Sequence, residues 1–131
     1  MSGKAGFMTG AGIAVKRLLR ACINTWNGLR AVARSEEAFQ QELVVFLISL
    51  PLAWIVGTGP WTRAALVLVV VFVMIVELLN TAIEKLADSV TLAIDPRIGY
   101  VKDLGSAAVG VSLLFAIFVW LMAIAERLGL F

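Results

Sequence analysis

The chain has 131 residues, 61% of them hydrophobic and only 15% charged, with a formal net charge of +2. This excludes an ordinary water-soluble domain, because so short a chain has too little polar surface to cover that much apolar side chain. With no His and a single Cys, Cys22, the sequence also excludes zinc, haem and iron–sulfur ligation and an intrachain disulfide, so any metal must be a hard cation held by carboxylates, magnesium first.

The first element in chain order is a helix over about 12–34. Leu18, Leu19, Cys22, Ile23, Trp26 and Leu29 recur at three- and four-residue spacing, and Lys16, Arg17, Arg20, Asn24 and Asn27 take the opposite face. That pattern suits an amphipathic helix in the headgroup plane, with Trp26 at the boundary and the cations toward phosphates. Lys16, Arg17 and Arg20 interrupt any apolar run, so a cleaved signal peptide is not expected. Ser35 is then expected to cap a new helix whose first turn carries Glu36 and Glu37.

Three long stretches nearly free of charge follow. Nothing is charged between Glu42 and Arg63, only Glu77 between Arg63 and Glu84, and nothing between Asp103 and Glu126. Each is about the length of a membrane-crossing helix, roughly 20 residues for a ~30 Å hydrocarbon core. The predicted fold is therefore an all-α membrane protein: one domain over 1–131, with the surface helix followed by spans at about 36–56, 62–86 and 102–126. Pro51 is expected to bend the first span, Gly57 to Pro60 to form the outer turn, and Trp61 to anchor at the interface. Lys4, Lys16, Arg17, Arg20, Arg30 and Arg34 precede the spans and Lys85, Arg97 and Lys102 lie in the second loop, against only Arg63 and Arg127 elsewhere. That asymmetry places the N-terminus and second loop in the cytoplasm and the C-terminus across the membrane.

The second span carries the chemistry. Glu77, Asn80, Thr81, Glu84 and Asp88 are offset by three, four, seven and eleven residues, so they share one helix face. Glu77 lies roughly 10 Å below the cytoplasmic end of the span. A carboxylate at the centre of a lipid-facing helix costs about 2.5–3.5 kcal/mol on the most lenient scale, so Glu77 is expected to face protein or a polar cleft. A purely structural reading stays open, in which Glu77 bonds a neighbouring helix while Glu84 and Asp88 are merely solvated. Lys102-Asp103 opens the third span, followed by Gly105-Ser106-Ala107-Ala108, where Ser106 and Gly110 have the small-residue spacing of close helix packing. A lysine beside several carboxylates suits a phosphate and a magnesium ion. No Walker-type or protein-kinase motif is present. Spacing alone stops at a three-span protein with a site fit for metal and phosphate.

Glu77-Leu78-Leu79-Asn80-Thr81-Ala82-Ile83-Glu84 resembles the E-[IL]-L-N-[ST]-A-I-E signature of prokaryotic diacylglycerol kinases, and Lys102-Asp103-Leu104-Gly105-Ser106-Ala107-Ala108-Val109 resembles their K-D-M-G-S-A-A-V signature. Trp26, Gly28, Leu29, Arg30 and Ala31, then Glu36, Ala38, Phe39, Gln41 and Glu42, match as well, so the likeness runs from about Arg17 to the C-terminus. The resemblance implies a homotrimer in the bacterial inner membrane, with shared sites that transfer the ATP γ-phosphate to diacylglycerol and give phosphatidic acid. Its partners would be ATP, the lipid and the bilayer, with no nucleic acid. It implies Glu77 as general base with Asn80 orienting groups beside it, Glu36 and Glu84 as magnesium ligands, and Arg17, Lys102 and Asp103 with those two in the ATP site. Trp26, Arg30, Ser106 and the stretch containing Ala38, Gln41 and Glu42 would line the lipid pocket.

This chain departs from the family pattern at four positions. Gln40 stands where Arg is common and Glu37 where a small residue is usual, which leaves Glu36 and Glu37 both open as metal ligand. Asn24 and Asp95 stand where the family places Tyr and His near the nucleotide, which leaves adenine contacts and nucleotide selectivity open. A polyprenol kinase of the same superfamily is the near alternative. A small ion-coupled oligomeric transporter is the distant one, disfavoured because ion coupling needs neither Lys102 nor paired carboxylates. An oligomer is expected on either view, since three thin spans cannot themselves shield the polar stripe from lipid.

Overall fold

A computed structural model describes residues 3–91 and 95–130, with side chains from Gly12 onward. Lys4, counted above among the N-terminal cations, has its side chain outside the described residues. The backbone forms four helices and no strand among the described residues: α1 (Gly3–Ser35), α2 (Glu37–Val56), α3 (Pro60–Val90) and α4 (Pro96–Arg127). It divides into two compact units, Met1–Glu36 and Glu37–Phe131.

The first unit is α1, longer at its start than the charge pattern predicts. Every side chain from Gly12 to Arg30 is exposed, Leu18, Ile23 and Trp26 included. One expectation fails here: Ser35 is not the cap of a new helix. It is the last residue of α1, its hydroxyl donating to the Ala31 carbonyl at 3.2 Å and to the Glu36 carboxylate at 2.7 Å, while the Glu36 amide still donates to the Val32 carbonyl at 2.9 Å. Helical hydrogen bonding persists through position 36, so the Ser35 hydroxyl satisfies an α1 carbonyl instead of a free amide.

In the second unit α2, α3 and α4 are each long and apolar enough to cross a membrane. α2 continues through Pro51 without interruption. α3 packs against both of its neighbours, while α2 and α4 meet much less. Its buried residues, Leu66, Val69, Val70, Val73, Glu77, Asn80, Thr81 and Ala87, form one stripe at helical spacing. Large apolar side chains on the outer faces, among them Leu47, Ile48, Leu114, Phe118 and Leu121, are more than half exposed. Such a surface is stable against lipid, not water.

The turn between α2 and α3 is fixed by its sequence. A Cβ on Gly57 would overlap the Arg63 side chain and the Ala53 carbonyl, so only glycine fits. The Arg63 Nε donates to the Gly57 carbonyl at 3.1 Å, and its guanidinium lies 4.1 Å from the Trp54 ring centroid. The Thr58 hydroxyl donates to the Glu126 carboxylate at 2.6 Å, joining this turn to the far end of α4. Below it, Ala53, Leu66 and Ala123 form a small apolar core with Val56, Val67, Val119 and Trp120 packed around it. Asp95 caps α4, accepting from the Arg97 amide at 2.8 Å ahead of Pro96 at the first helical position.

Candidate functional site

The α3 stripe changes character along its length. From Leu66 to Val73 it is aliphatic; from Glu77 onward it is polar, with Glu77, Asn80 and Thr81 each no more than 8% exposed. Across from it, α2 buries Phe39, Ser49 and Ala53 and half-buries Glu42 and Phe46, again at three- and four-residue spacing. This register sets Glu42 against Glu77, close enough for their carboxyl groups to interact electrostatically. Glu42, expected in the wall of a lipid pocket, thus lies on the α2 face that meets α3.

The α3–α4 seam is a series of paired rungs. Leu66 packs with Ala123, and the Phe72 and Phe115 rings meet edge to face with centroids 6.1 Å apart. Asn80 then lies directly against Gly105, where an added Cβ would overlap the Asn80 Oδ1. Finally the Lys102 Nζ donates to the Asp88 Oδ1 at 2.5 Å. Between these last two rungs is half-buried Glu84, whose Oε1 accepts from the Asn80 Nδ2 at 3.1 Å. Of the small residues expected to allow close helix approach, Gly105 makes it against α3. Ser106 and Gly110 are exposed, and a Cβ on Gly110 would meet nothing within 4 Å, because they face away from α3.

Two buried polar atoms in this region, Glu42 Oε2 and Asn80 Oδ1, have no hydrogen-bond partner among the described residues. Unsatisfied buried polar atoms are rare and mark strain or a place where something else binds. The aliphatic half shows the contrast: the buried Ser49 and Ser112 hydroxyls donate to the Phe46 and Val109 carbonyls, both at 2.7 Å.

The structure thus places three pairs along this seam, Glu42 with Glu77, Asn80 with Glu84, and Lys102 with Asp88. Asp103 and Ser106 on α4, and Ala38 and Gln41 on α2, are exposed on other faces. Arg17, Trp26, Arg30 and Glu36 belong to the first unit. Among the described residues no group of three or more His, Cys, Asp or Glu side chains could hold a metal ion. The seam offers oxygen donors only, which suits a hard cation that brings most of its own ligands as water and phosphate oxygen. Asp95 is occupied as a helix cap. The Arg97 guanidinium donates to it at 3.0 Å as well, and these bonds hold its carboxyl below the ordinary range.

Residues 23–124 match the family model described as prokaryotic diacylglycerol kinase. The chain is 36% identical over 113 residues to a diacylglycerol kinase of Escherichia coli (strain K12), covering 86% of this chain and 93% of that protein. It is 36% identical over 106 residues to a diacylglycerol kinase of Pseudomonas aeruginosa, covering 81% and 86%. To a diacylglycerol kinase of Helicobacter pylori (strain J99) it is 30% identical over 105 residues, covering 80% and 82%.

Proposed function

We propose that this chain, which belongs to the prokaryotic diacylglycerol kinase family, transfers the γ-phosphate of ATP to diacylglycerol and releases ADP and phosphatidic acid at the cytoplasmic face of a bacterial inner membrane. The observation that carries this reading is buried Glu77, set against Glu42 in a polar seam of a largely apolar three-helix unit. A carboxylate at this depth suits a hydroxyl at the glycerol level of a bilayer.

In the proposed reaction the lipid hydroxyl oxygen attacks the γ-phosphorus. Its proton passes to Glu77 as the new O–P bond forms and the bond to the β-phosphate bridging oxygen breaks. Asn80 is wedged between Gly105 and Glu84 and holds the Glu84 carboxylate, while Lys102 supplies positive charge for phosphate. Glu84 and Glu36 are the proposed magnesium ligands, the ion neutralising phosphate charge when bound. Arg17 and Asp103 complete the proposed ATP site, and Trp26, Arg30, Ala38, Gln41, Glu42 and Ser106 border the lipid. The catalytic power is then positioning and charge neutralisation without a covalent intermediate.

The outer apolar faces of α2 and α4 and the amphipathic pattern of α1 support a homotrimer with sites shared between subunits, α1 lying in the headgroup layer, the N-terminus cytoplasmic and the C-terminus periplasmic. Glu77→Gln tests the assignment because it keeps size and hydrogen bonding but removes basicity. Turnover is expected to fall about 10²–10⁴-fold, the usual contribution of a general base, with nucleotide affinity and thermal stability retained. Turnover within a few-fold of the parent protein would remove Glu77 from the mechanism.

A further inference from the structure

We propose that Asp88 is a positioning residue of the nucleotide site, holding the Lys102 ammonium clear of Glu84 so that both stay available to incoming magnesium and phosphate. The inference rests on the phosphoryl-transfer reading and goes beyond it, since that reading needs Lys102 and Glu84 but gives Asp88 no task.

The register supplies the reason. Asp88 is four residues, one helical turn, beyond Glu84 on α3, and Lys102 is three residues ahead of Gly105 on α4. The Asn80–Gly105 contact and the Asp88–Lys102 ion pair therefore bracket Glu84 along the seam. Glu84 already accepts from the Asn80 Nδ2 on Oε1, which leaves Oε2 outside that bond. A lysine has a long, rotatable stem and three donors. Without Asp88, the next carboxylate along the α3 face for Lys102 is Glu84. A Lys102–Glu84 pair would occupy the proposed metal-binding oxygen and withdraw the phosphate-binding cation in one move. Asp88 prevents this by taking one of the three ammonium donors and leaving two for phosphate oxygens. The pair is well placed to yield: its side chains are 37% and 47% exposed, so it is accessible from solution and weak enough to share its cation.

The test compares the parent protein, Asp88→Asn and Asp88→Glu in detergent–lipid micelles. The measurements are diacylglycerol-dependent ATP turnover, binding of a non-hydrolysable ATP analogue with magnesium, and thermal melting. Asp88→Asn is expected to raise KM for magnesium-ATP and the analogue Kd about fivefold, the scale of an accessible ion pair, with kcat within about twofold and melting unchanged. Asp88→Glu, which restores the charge, is expected to recover most of the affinity. If Asp88→Asn binds the analogue like an active parent, or loses kcat and melting temperature together with no shift in KM, Asp88 is not a positioning residue. A parent protein that binds no nucleotide and consumes no ATP would overturn the kinase reading, and this inference with it.

Discussion

The two halves of the α3 stripe are continuous in helix phase and similar in burial, yet they serve different ends. From Leu66 to Val73 the buried residues are aliphatic, and Leu66 builds a small apolar core with Ala53 and Ala123. From Glu77 to Glu84 the same face carries two carboxylates and an amide, faces a third carboxylate at Glu42, and leaves Glu42 Oε2 and Asn80 Oδ1 without hydrogen-bond partners among the described residues. A helix needs only the first kind of residue to pack. The second kind weakens packing and persists where chemistry requires it.

Substitutions in each half should separate folding from turnover, and Leu66→Ala has the largest expected effect. Leu66 is fully buried, so the truncation should cost about 2–5 kcal/mol of stability, read by denaturant unfolding in micelles, while protein that remains folded keeps its KM for ATP. Gly105→Ala comes next and breaks the separation deliberately. The added Cβ overlaps the Asn80 Oδ1, an overpacking of about 1–3 kcal/mol, and the displaced amide releases Glu84. Both melting temperature and turnover should fall, the latter in a magnesium-dependent way.

Glu84→Gln sharpens the contrast from the other side. Gln keeps an oxygen for the Asn80 amide but loses the charge, so melting should hold while turnover falls about tenfold at low magnesium and recovers in part as magnesium rises. Full activity at low magnesium would show that Glu84 is not a ligand. The smallest effect concerns Asp95, which lies outside both halves. Hydrogen bonds from Arg97 lower its pKa, so its contribution to stability is present above the unfolded carboxylate value of about 3.9 and is lost as pH falls through the lower folded value. The parent's melting temperature should therefore fall slightly more below about pH 4 than that of Asp95→Asn, with turnover at neutral pH alike in both.

Much of this arrangement was legible in the sequence. The three stretches nearly free of charge marked the helices long and apolar enough to cross a membrane, and the offsets from Glu77 to Asp88 marked the polar face, because both depend only on spacing along one helix. The setting of Glu42 against Glu77 was not legible, because α2 is apolar nearly all round. Its inner line, buried Phe39, Ser49 and Ala53 with half-buried Glu42 and Phe46, emerges only once α2 is packed on α3. The Asp88–Lys102 pair depends on how α3 and α4 pair across their connection, which periodicity does not encode. Ser35 misled because a residue with good capping chemistry is also content to bond backward to its own helix. Among the small residues of α4, Gly105 is the one that packs on α3; which of them would face α3 depends on helix pairing, which spacing alone does not encode.

The central claim is that the polar half of the stripe performs phosphoryl transfer to a lipid alcohol. Its most direct test is ATP consumption by the purified protein in micelles, measured with no lipid alcohol, with diacylglycerol and with undecaprenol, alongside recovery of the phosphorylated lipid. The account predicts consumption that rises with diacylglycerol, matches phosphatidic acid mole for mole, and is far slower with undecaprenol. ATP consumption that is absent, that ignores the lipid, or that favours undecaprenol would contradict it.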